Sequence, residues 1–261
     1  NQYISKIIQR ITENTNTTTN VGIIIASPSD DPPYKYHWIR DSALVMRTIV
    51  NMYDVTKDPI YFQSIINYIE NESKIQQLET IKGLGEPKYN INCTAYNGPW
   101  GRPQNDGPAL RGIILFSLID IIYYKYETLI KQLIIPIITK DLEYILNNYR
   151  KISYDIWEEK EGWHFYTRMV QAKFMKEALR YKKILDKYID IELLRSSYEC
   201  LLTDLKDHLN GSTIISSFDQ EGKIIKYEDA ANILAFCHIN YDKDILNVIP
   251  LENINHTCDS L

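Results

Sequence analysis

Three carboxylates lie within five residues of the chain, where Asp155, Glu158 and Glu159 surround Trp157. The segment is a short polar break between two long amphipathic patterns. Carboxylates this close repel one another when ionised, so at least one is expected to hold its proton more tightly than a free side chain. A carboxylic acid that stays protonated near working pH is what cleavage of a glycosidic bond requires. The competing interpretation is an acidic loop on a solvated surface.

The order of these residues predicts different roles for them. Glu158 and Glu159 are neighbours, so in an extended segment they point to opposite sides and only one can face a substrate. Trp157 is expected to exclude water from the neighbouring acid and to help keep it protonated.

Bulk composition excludes several functional classes. The chain has 261 residues, of which 44% are hydrophobic and 24% charged, as in ordinary globular proteins. Its net charge of −5 and lack of a long basic run argue against a nucleic-acid partner. No apolar segment reaches the roughly 20 residues that a membrane span needs. Four cysteines have no metal-ligand spacing, so neither a metal nor a cofactor is predicted.

Apolar residues recur at helical spacing in eight stretches of the chain. These predict helices over residues 3–11, 43–53, 59–78, 109–125, 129–149, 165–185, 191–209 and 228–240. Short extended segments are predicted at residues 21–25 and 212–218. The chemically rich loops precede the helices that begin at residues 43, 109 and 165. Because alternate loops share one end of an antiparallel helical array, these three loops are expected to converge.

The first of these loops combines aromatic rings with charges. Tyr34, Tyr36 and Trp38 precede Arg40 and Asp41. Sugar recognition needs this mixture, because flat rings cover the C–H face of a sugar while charged groups bind its hydroxyls. Core packing of the rings and a structural Arg–Asp ion pair are the alternatives. A protein interface has a similar composition. Asp41 and the residue after it are also expected to cap the next helix.

The second loop, residues 100–108, contains Trp100, Gly101, Arg102, Asp106 and Pro108. Gly101 allows a sharp turn beside the bulky Trp, and Pro108 suits the first turn of a helix. Asp106 is positioned to cap that helix, and Arg102 and Asp106 together can brace the loop. Trp100 is the better candidate for a functional role.

Five segments, taken together and in order, resemble the fungal and yeast glucoamylases of glycoside hydrolase family 15. They are VGIIIASPS from Val21, YKYHWIRDSAL from Tyr34, GLGEPKYNIN from Gly83, TAYNGPWGRPQNDGPALR from Thr94 and YDIWEE from Tyr154. The resemblance extends across nearly the whole chain and fades after about Tyr241.

This resemblance implies an all-α (α/α)6 barrel and an inverting exo-hydrolase that releases glucose from the non-reducing ends of α-1,4-linked glucans. It implies that Glu158 is the general acid and that Asp155 tunes it. The implied substrate-binding residues are Tyr34, Arg40, Asp41, Tyr96, Trp100, Trp157 and Glu159. The implied partner is an α-glucan, the expected state is a monomer, and the expected location is secreted or vacuolar. Five Asn-x-Ser/Thr sequons, which begin at Asn16, Asn71, Asn92, Asn210 and Asn255, are compatible with such a location.

Two departures from the family pattern qualify this expectation. About eight of the family's twelve helices are predicted, and the family's catalytic base, a Glu in a later S-E-Q-type loop, has no match. We therefore interpret residues 1–261 as one partial catalytic domain, and we expect it to hydrolyse starch or maltose poorly or not at all. The alternatives are a non-catalytic, degenerate glucan-binding protein and a trehalase-like inverting hydrolase on the same fold.

Overall fold

The computed structural model describes residues 2–15 and 21–260, and helices dominate this part of the chain. The long helices are α1 Gln2–Thr15, α2 Ile39–Thr56, α3 Pro59–Ile75 and α4 Gly107–Ile122. After the short α5 Glu127–Leu129 come α6 Ile135–Asn148, α7 Phe165–Arg180, the short α8 Lys182–Leu185 and α9 Ile191–Lys206. The last helices are α10 Ala230–His238, α11 Lys243–Leu246 and α12 Leu251–Ser260.

Eight short strands lie between these helices in the described part of the chain. They are β1 His37–Trp38, β2 Lys88–Tyr89, β3 Ser153–Tyr154, β4 Glu161–His164, β5 Leu209–Asn210, β6 Thr213–Ile214, β7 Ser217–Phe218 and β8 Ile224–Lys226. The strands β3, β4, β7 and β8 form one antiparallel sheet in that order. The extended segment predicted at residues 212–218 is confirmed by β6 and β7.

Each of the eight predicted helices has a counterpart, and α11 and α12 follow the last predicted helix as additional ones. The helix predicted over residues 129–149 is interrupted, because a π-helical turn, Ile130–Ile134, separates α5 from α6. Pro136, in the first turn of α6, carries no backbone N–H, so uniform α-helical hydrogen bonding cannot pass through it.

Helix α2 begins four residues before the predicted start, which makes the predicted N-cap wrong. Trp38 occupies the cap position with an extended backbone and no side-chain capping bond. It pairs with Lys88 across β1 and β2, and this pairing determines where extended backbone gives way to helix. Asp41 therefore lies inside the first turn, where a negative charge favours the helix dipole. Ser42 is buried and its hydroxyl donates to Ile39 O at 3.0 Å.

The described residues form two compact units. The first unit comprises residues 1–98 and 110–140, and helices α2 and α3 pack together within it. Its apolar core includes Ile23, Ile25, Ile39, Ile75 and Tyr89. The segment 21–25, predicted to be a buried extended piece, is buried from residue 22 onward but joins no regular strand.

The second unit comprises residues 99–109 and 141–261, and α7 packs against both α9 and α10. His164 is buried and joins three strands of the sheet in this unit. Its Nδ1 contacts Ser217 Oγ at 2.8 Å, and its Nε2 contacts Ser153 O at 2.8 Å. Because Nε2 donates to a carbonyl, Nδ1 is free to accept the serine hydroxyl in the neutral ring. Burial lowers the pKa of His164, which agrees with a neutral structural histidine.

Candidate active site

The acidic segment is the loop of a β-hairpin between β3 and β4. Asp155 N donates to Lys160 O at 2.9 Å, and Glu158 N donates to Asp155 O at 3.0 Å, which closes a tight turn. Glu158 has a φ of 64°, in the left-handed region that side chains other than glycine rarely adopt. The expectation that Glu158 and Glu159 sit in an extended segment is therefore wrong. The turn, rather than strand alternation, orients their carboxylates.

Asp155 is almost fully buried and held as a carboxylate. Lys226 Nζ donates to its Oδ2 at 2.8 Å, while the backbone N–H groups of Glu159 and Lys160 donate to its Oδ1 at 2.8 and 3.2 Å. Burial alone would raise the pKa of Asp155, but these donors outweigh burial and hold the pKa below its usual range. The neighbouring carboxylates therefore do not raise the pKa of Asp155, because the Lys226 ammonium lies between Asp155 and Glu159.

Glu158 is half-buried and contacts the second predicted loop. Gln104 Nε2 donates to Glu158 Oε1 at 2.9 Å and to Gly101 O at 3.0 Å. The two loops are also joined by Tyr154 N, which donates to Pro103 O at 2.8 Å. A side chain at Gly101 would meet the Tyr154 ring at 2.6 Å, so only glycine allows this close approach. The loop that carries Trp100 thus packs directly on the hairpin that carries Glu158.

Trp157 and Glu159 lie on the outer side of the hairpin loop. Trp157 is 44% exposed, and its Nε1 donates to Asp229 Oδ1 at 2.7 Å. This exposure differs from the expectation that Trp157 excludes water from the acid. Glu159 is exposed and its Oε2 accepts from Lys226 Nζ at 3.1 Å. Lys226 therefore connects two of the three carboxylates.

The acids of this loop have contrasting environments. A cation and two backbone donors favour the ionised form of Asp155, whereas an amide donor such as Gln104 makes no demand for a charge on Glu158. The arrangement can therefore supply one fixed anion and one neighbouring acid, as glycosidic-bond protonation requires.

In the first unit, aromatic side chains gather around a buried lysine. Tyr36 contacts Trp38 edge-to-face with 5.8 Å between ring centroids, and it contacts Tyr96 in the same way at 5.2 Å. Tyr34 lies against Trp38 at 6.0 Å. The Lys88 ammonium lies 4.3 to 4.7 Å from the centroids of Tyr36, Trp38 and Tyr96. We call these five residues the aromatic cluster; cation–π attraction to Lys88 helps to fix its rings.

A buried ion group anchors this cluster. Glu72 Oε1 lies 2.7 Å from His37 Nε2, and Glu72 Oε2 accepts from Arg111 Nη1 at 2.7 Å. Ile24 N donates to His37 Nδ1 at 3.0 Å, which fixes the orientation of the ring. Burial disfavours ionisation of Glu72, but His37 and Arg111 together hold the pKa of Glu72 below its usual range. His37 precedes Trp38, so this group holds the cluster's strand in place.

Arg40 and Asp41 follow the aromatic cluster in the first turn of α2. Arg40 Nε lies 3.7 Å from Asp41 Oδ2, and the side chains are 12% and 41% exposed. At this distance the two charges attract one another without a short hydrogen bond. The Asp41 carboxylate is accessible to a ligand.

The structure groups the predicted site residues by unit. Tyr34, Arg40, Asp41 and Tyr96 belong to the first unit; Trp100, Asp155, Trp157, Glu158 and Glu159 belong to the second. Convergence of the second and third loops is confirmed within the second unit, while convergence of the first loop with them stays a prediction. Sequence reasoning missed Gln104, Lys226, Lys88 and Asp229. Asp229 is the N-cap of α10 and lies inside the helix predicted over residues 228–240; no sequence signal indicated its contact with Trp157.

Within residues 2–15 and 21–260, no group of three or more His, Cys, Asp or Glu side chains could hold a metal ion. No helix in the same residues is long and apolar enough to cross a membrane.

Known proteins resemble this chain along most of its length. The profile of glycosyl hydrolases family 15 matches residues 2–245. Glucoamylase-1 of Arthroderma benhamiae is 33% identical over 228 residues, which cover 84% of this chain and 36% of that protein. A probable glucoamylase of Schizosaccharomyces pombe is 37% identical over 175 residues, which cover 63% of this chain and 38% of that protein.

Solved glucoamylases share the fold. The family 15 glucoamylase of Hypocrea jecorina superposes with a TM-score of 0.77 at 28% identity, covering 84% of this chain and 40% of that one. The glucoamylase of Saccharomycopsis fibuligera gives a TM-score of 0.74 at 28% identity, covering 80% of this chain and 50% of that one. These similarities confirm the predicted fold class, the all-α (α/α)6 barrel class of glucoamylases. The chain spans 36% and 38% of the two curated relatives above. Its family profile, motifs and fold agree, and the chain belongs to glycosyl hydrolases family 15.

Proposed function

We propose that residues 1–261 carry the acid half of a glucoamylase site, which releases glucose from the non-reducing ends of starch, glycogen or maltooligosaccharides. Glu158 is the proton donor to the glycosidic oxygen in this proposal. The observation that carries it is the contrast within one hairpin loop. Asp155 is bound by Lys226 and held ionised, whereas Glu158 accepts from the Gln104 amide at 2.9 Å.

Roles for the other site residues follow from their positions. Asp155 supplies a fixed negative charge beside Glu158 and orients the hairpin. Glu159, Trp157 and Trp100 flank Glu158 and bind the sugar next to the cleaved bond. In the first unit, the rings of Tyr34 and Tyr96 contact the C–H face of the terminal glucose, and Arg40 and Asp41 bind its hydroxyls.

The proposed reaction needs a second carboxylate. Inversion at the anomeric carbon requires a base on the opposite face of the sugar, roughly 6.5–9.5 Å from the acid, to activate water. Asp155 serves as a poor base because Lys226 and two backbone donors occupy its oxygens. The S-E-Q-type Glu of the family has no counterpart in this sequence. We therefore propose that the 261 residues form one partial catalytic domain that binds glucans with little or no turnover.

Glucose release from maltose, measured together with maltose binding, tests this proposal. For the 261-residue chain, we expect maltose to bind and glucose release to stay at the background level measured without protein. Glucose release at a rate ordinary for enzymes, on the order of 10 per second, would refute the partial site. In a longer polypeptide that also contains the base, Glu158→Gln should reduce kcat by roughly a hundred- to ten-thousandfold. Glu161→Gln in β4 is the matched control and should leave kcat unchanged.

Location and assembly are part of the same proposal. We propose a secreted or vacuolar protein that acts as a monomer on α-glucans. The support is the glucoamylase resemblance together with exposed sequon asparagines at Asn92 and Asn210. Asn71 is 2% exposed and is a poor acceptor in the folded chain. The sequon at Asn16 lies outside the described residues. Mass shifts after glycosidase treatment of the secreted protein, and its mass by light scattering, test these points.

A further inference from the structure

A cavity lies in the second unit, outside the acidic loop. It has a volume of about 430 Å³ and is lined by Trp163, Arg168, Asp207, Phe218 and the turn 220–222. This volume lies within the range of roughly 300–1,000 Å³ that small-ligand sites occupy. None of these residues belongs to the five segments that resemble the family, and the proposed reaction uses none of them. The cavity therefore needs an explanation of its own.

Two aromatic rings form one side of this cavity. Trp163 of β4 and Phe218 of β7 are direct cross-strand partners in the antiparallel sheet, so their side chains lie on the same face. Both are half-buried, and each lines the cavity. A side chain at the preceding Gly162 would meet Phe218 O at 2.0 Å, so the two strands approach closely and the pair of rings is held rigidly.

A preformed turn makes a second side. Asp219 Oδ1 accepts from Glu221 N at 3.0 Å and from Lys223 N at 2.8 Å. Gly222 N donates to Asp219 O at 3.1 Å, and Gly222 has a φ of 83° that suits glycine. Gln220 and Glu221 are presented from this turn at the rim of the cavity. The hydrogen bonds within the turn fix its backbone, which reduces the entropic cost of binding a ligand.

Arg168 of α7 forms the third side. Its guanidinium lies 5.2 Å from the Trp163 ring centroid, and its Nη1 donates to Asp204 O at 2.6 Å. The side chain is 11% exposed, and its nearest carboxylate, Asp207 Oδ2, is 3.8 Å from Nη1. A guanidinium has five N–H donors. Arg168 therefore retains donors beyond the one bond to Asp204 O.

The charges around the cavity favour a neutral ligand. Asp207 and Glu221 carry two negative charges against the single positive charge of Arg168, so an anion would meet net repulsion. A ligand with an apolar face and several hydroxyls fits the combination of stacked rings, guanidinium donors and carboxylate acceptors. This is the chemistry of a glucosyl unit.

We infer that this cavity is a second α-glucan-binding site, in which a glucosyl unit stacks on Trp163 and Phe218 and hydrogen-bonds with Arg168, Asp207 and Gln220. The choice of ligand rests on the proposed function, while the site itself is separate from the Glu158 loop. Such a site binds glucosyl units within a polymeric substrate and keeps the protein on it. It does not need the free chain end that an exo-acting site accepts.

Titration of β-cyclodextrin into the 261-residue chain by calorimetry tests the inference. This cyclic α-1,4-glucan has no chain end, so an exo-acting site cannot take it in the productive mode. Trp163→Ala is expected to weaken its binding at least tenfold. Because Trp163 is half-buried, a second variant in the exposed turn, Gln220→Trp, fills the cavity without altering the core and is expected to weaken binding similarly. The matched control is Tyr124→Ala, whose ring is fully exposed elsewhere.

The outcomes separate this inference from the proposed function. Absence of β-cyclodextrin binding, or binding that both Trp163→Ala and Gln220→Trp leave unchanged, would overturn the second site. Binding that depends on Trp163 and Gln220 supports it, whether or not maltose binds beside Glu158. Maltose binding that depends on Gln104 and Glu158, without any β-cyclodextrin binding, supports the proposed function and overturns the second site.

Discussion

Each of the two units holds a carboxylate against a cation, and the two pairs differ in their access to water. In the first unit, Glu72 and Arg111 are fully buried, and every charge is compensated inside the protein. In the second, Asp155 is buried, but Lys226 is 17% exposed and reaches the exposed Glu159. The first arrangement stabilises the strand before α2, whereas the second leaves an accessible acid beside a fixed anion. Similar residue types thus hold a strand in place in the first unit and fix an anion beside Glu158 in the second.

The largest effect is expected in the fully buried pair. Glu72→Gln removes the carboxylate that Arg111 contacts and leaves a positive charge in the core, which costs about 3–5 kcal/mol. Urea unfolding at neutral pH measures the change. Glu127→Gln, in the exposed pair with Lys131, is the matched control and should leave the unfolding midpoint unchanged. Equal effects of the two substitutions would remove the distinction between buried and exposed pairs.

A pH titration tests a buried histidine of the second unit. Burial lowers the pKa of His208 to about 3, and its Nδ1 lies 2.7 Å from Ile215 O. The unfolded chain takes up this proton near pH 6.5. Stability from the neutral ring is therefore present above pH 6.5 and is lost as the pH falls toward 3, by about 1.4 kcal/mol for each unit.

The unfolding free energy between pH 7 and 4, compared with that of His208→Leu, measures this contribution. The variant should have a flatter profile over that range, because it no longer takes up a proton on unfolding. His256→Leu, whose ring is 41% exposed, is the control and should follow the wild type. Parallel profiles for wild type and His208→Leu would contradict the burial argument.

An intermediate effect is expected at the acidic loop. Lys226→Met removes the cation beside Asp155 and should cost roughly 1–2 kcal/mol, because two backbone donors to the carboxylate remain. The pKa of Asp155 should rise, since burial then meets less opposition. Urea unfolding and an NMR titration of the carboxyl measure the two effects. Lys57→Met, in an exposed pair with Asp54, is the control and should change neither the free energy of unfolding nor the pKa of Asp155. An unchanged Asp155 pKa in Lys226→Met would show that Lys226 does not control this acid.

The smallest effect is expected at the half-exposed Trp157. Trp157→Phe keeps the ring and removes the N–H that donates to Asp229, so about 0.5–1 kcal/mol should be lost. Thermal unfolding measures this change, with Tyr124→Phe as the exposed control. Trp157→Ala should lower the unfolding midpoint no further than Trp157→Phe if the exposed ring contributes little packing. A much lower unfolding midpoint for Trp157→Ala than for Trp157→Phe would show that the Trp157 ring contributes packing as a buried side chain does.

Local patterns predicted the helices well and their exact starts less well. The periodicity that predicted helices at residues 59–78, 165–185 and 191–209 survives in α3, α7 and α9, because each buries an apolar face. The start of α2 was misplaced because a distant strand, β2, pairs with Trp38 and extends the backbone there. The hairpin around Asp155 was missed because β3 and β4 are too short for a strand pattern to appear.

The sequence by itself determined the family, the helical fold class and the identity of the candidate acids. These depend on residue types in fixed order and on spacings of a few positions, which are visible without coordinates. Only the tertiary structure decided which acid is held ionised. Lys226 lies 71 positions from Asp155, and Gln104 lies 54 positions from Glu158. The electrostatic character of a carboxyl depends on what chain folding brings within hydrogen-bonding distance, and separation along the sequence carries no record of that distance.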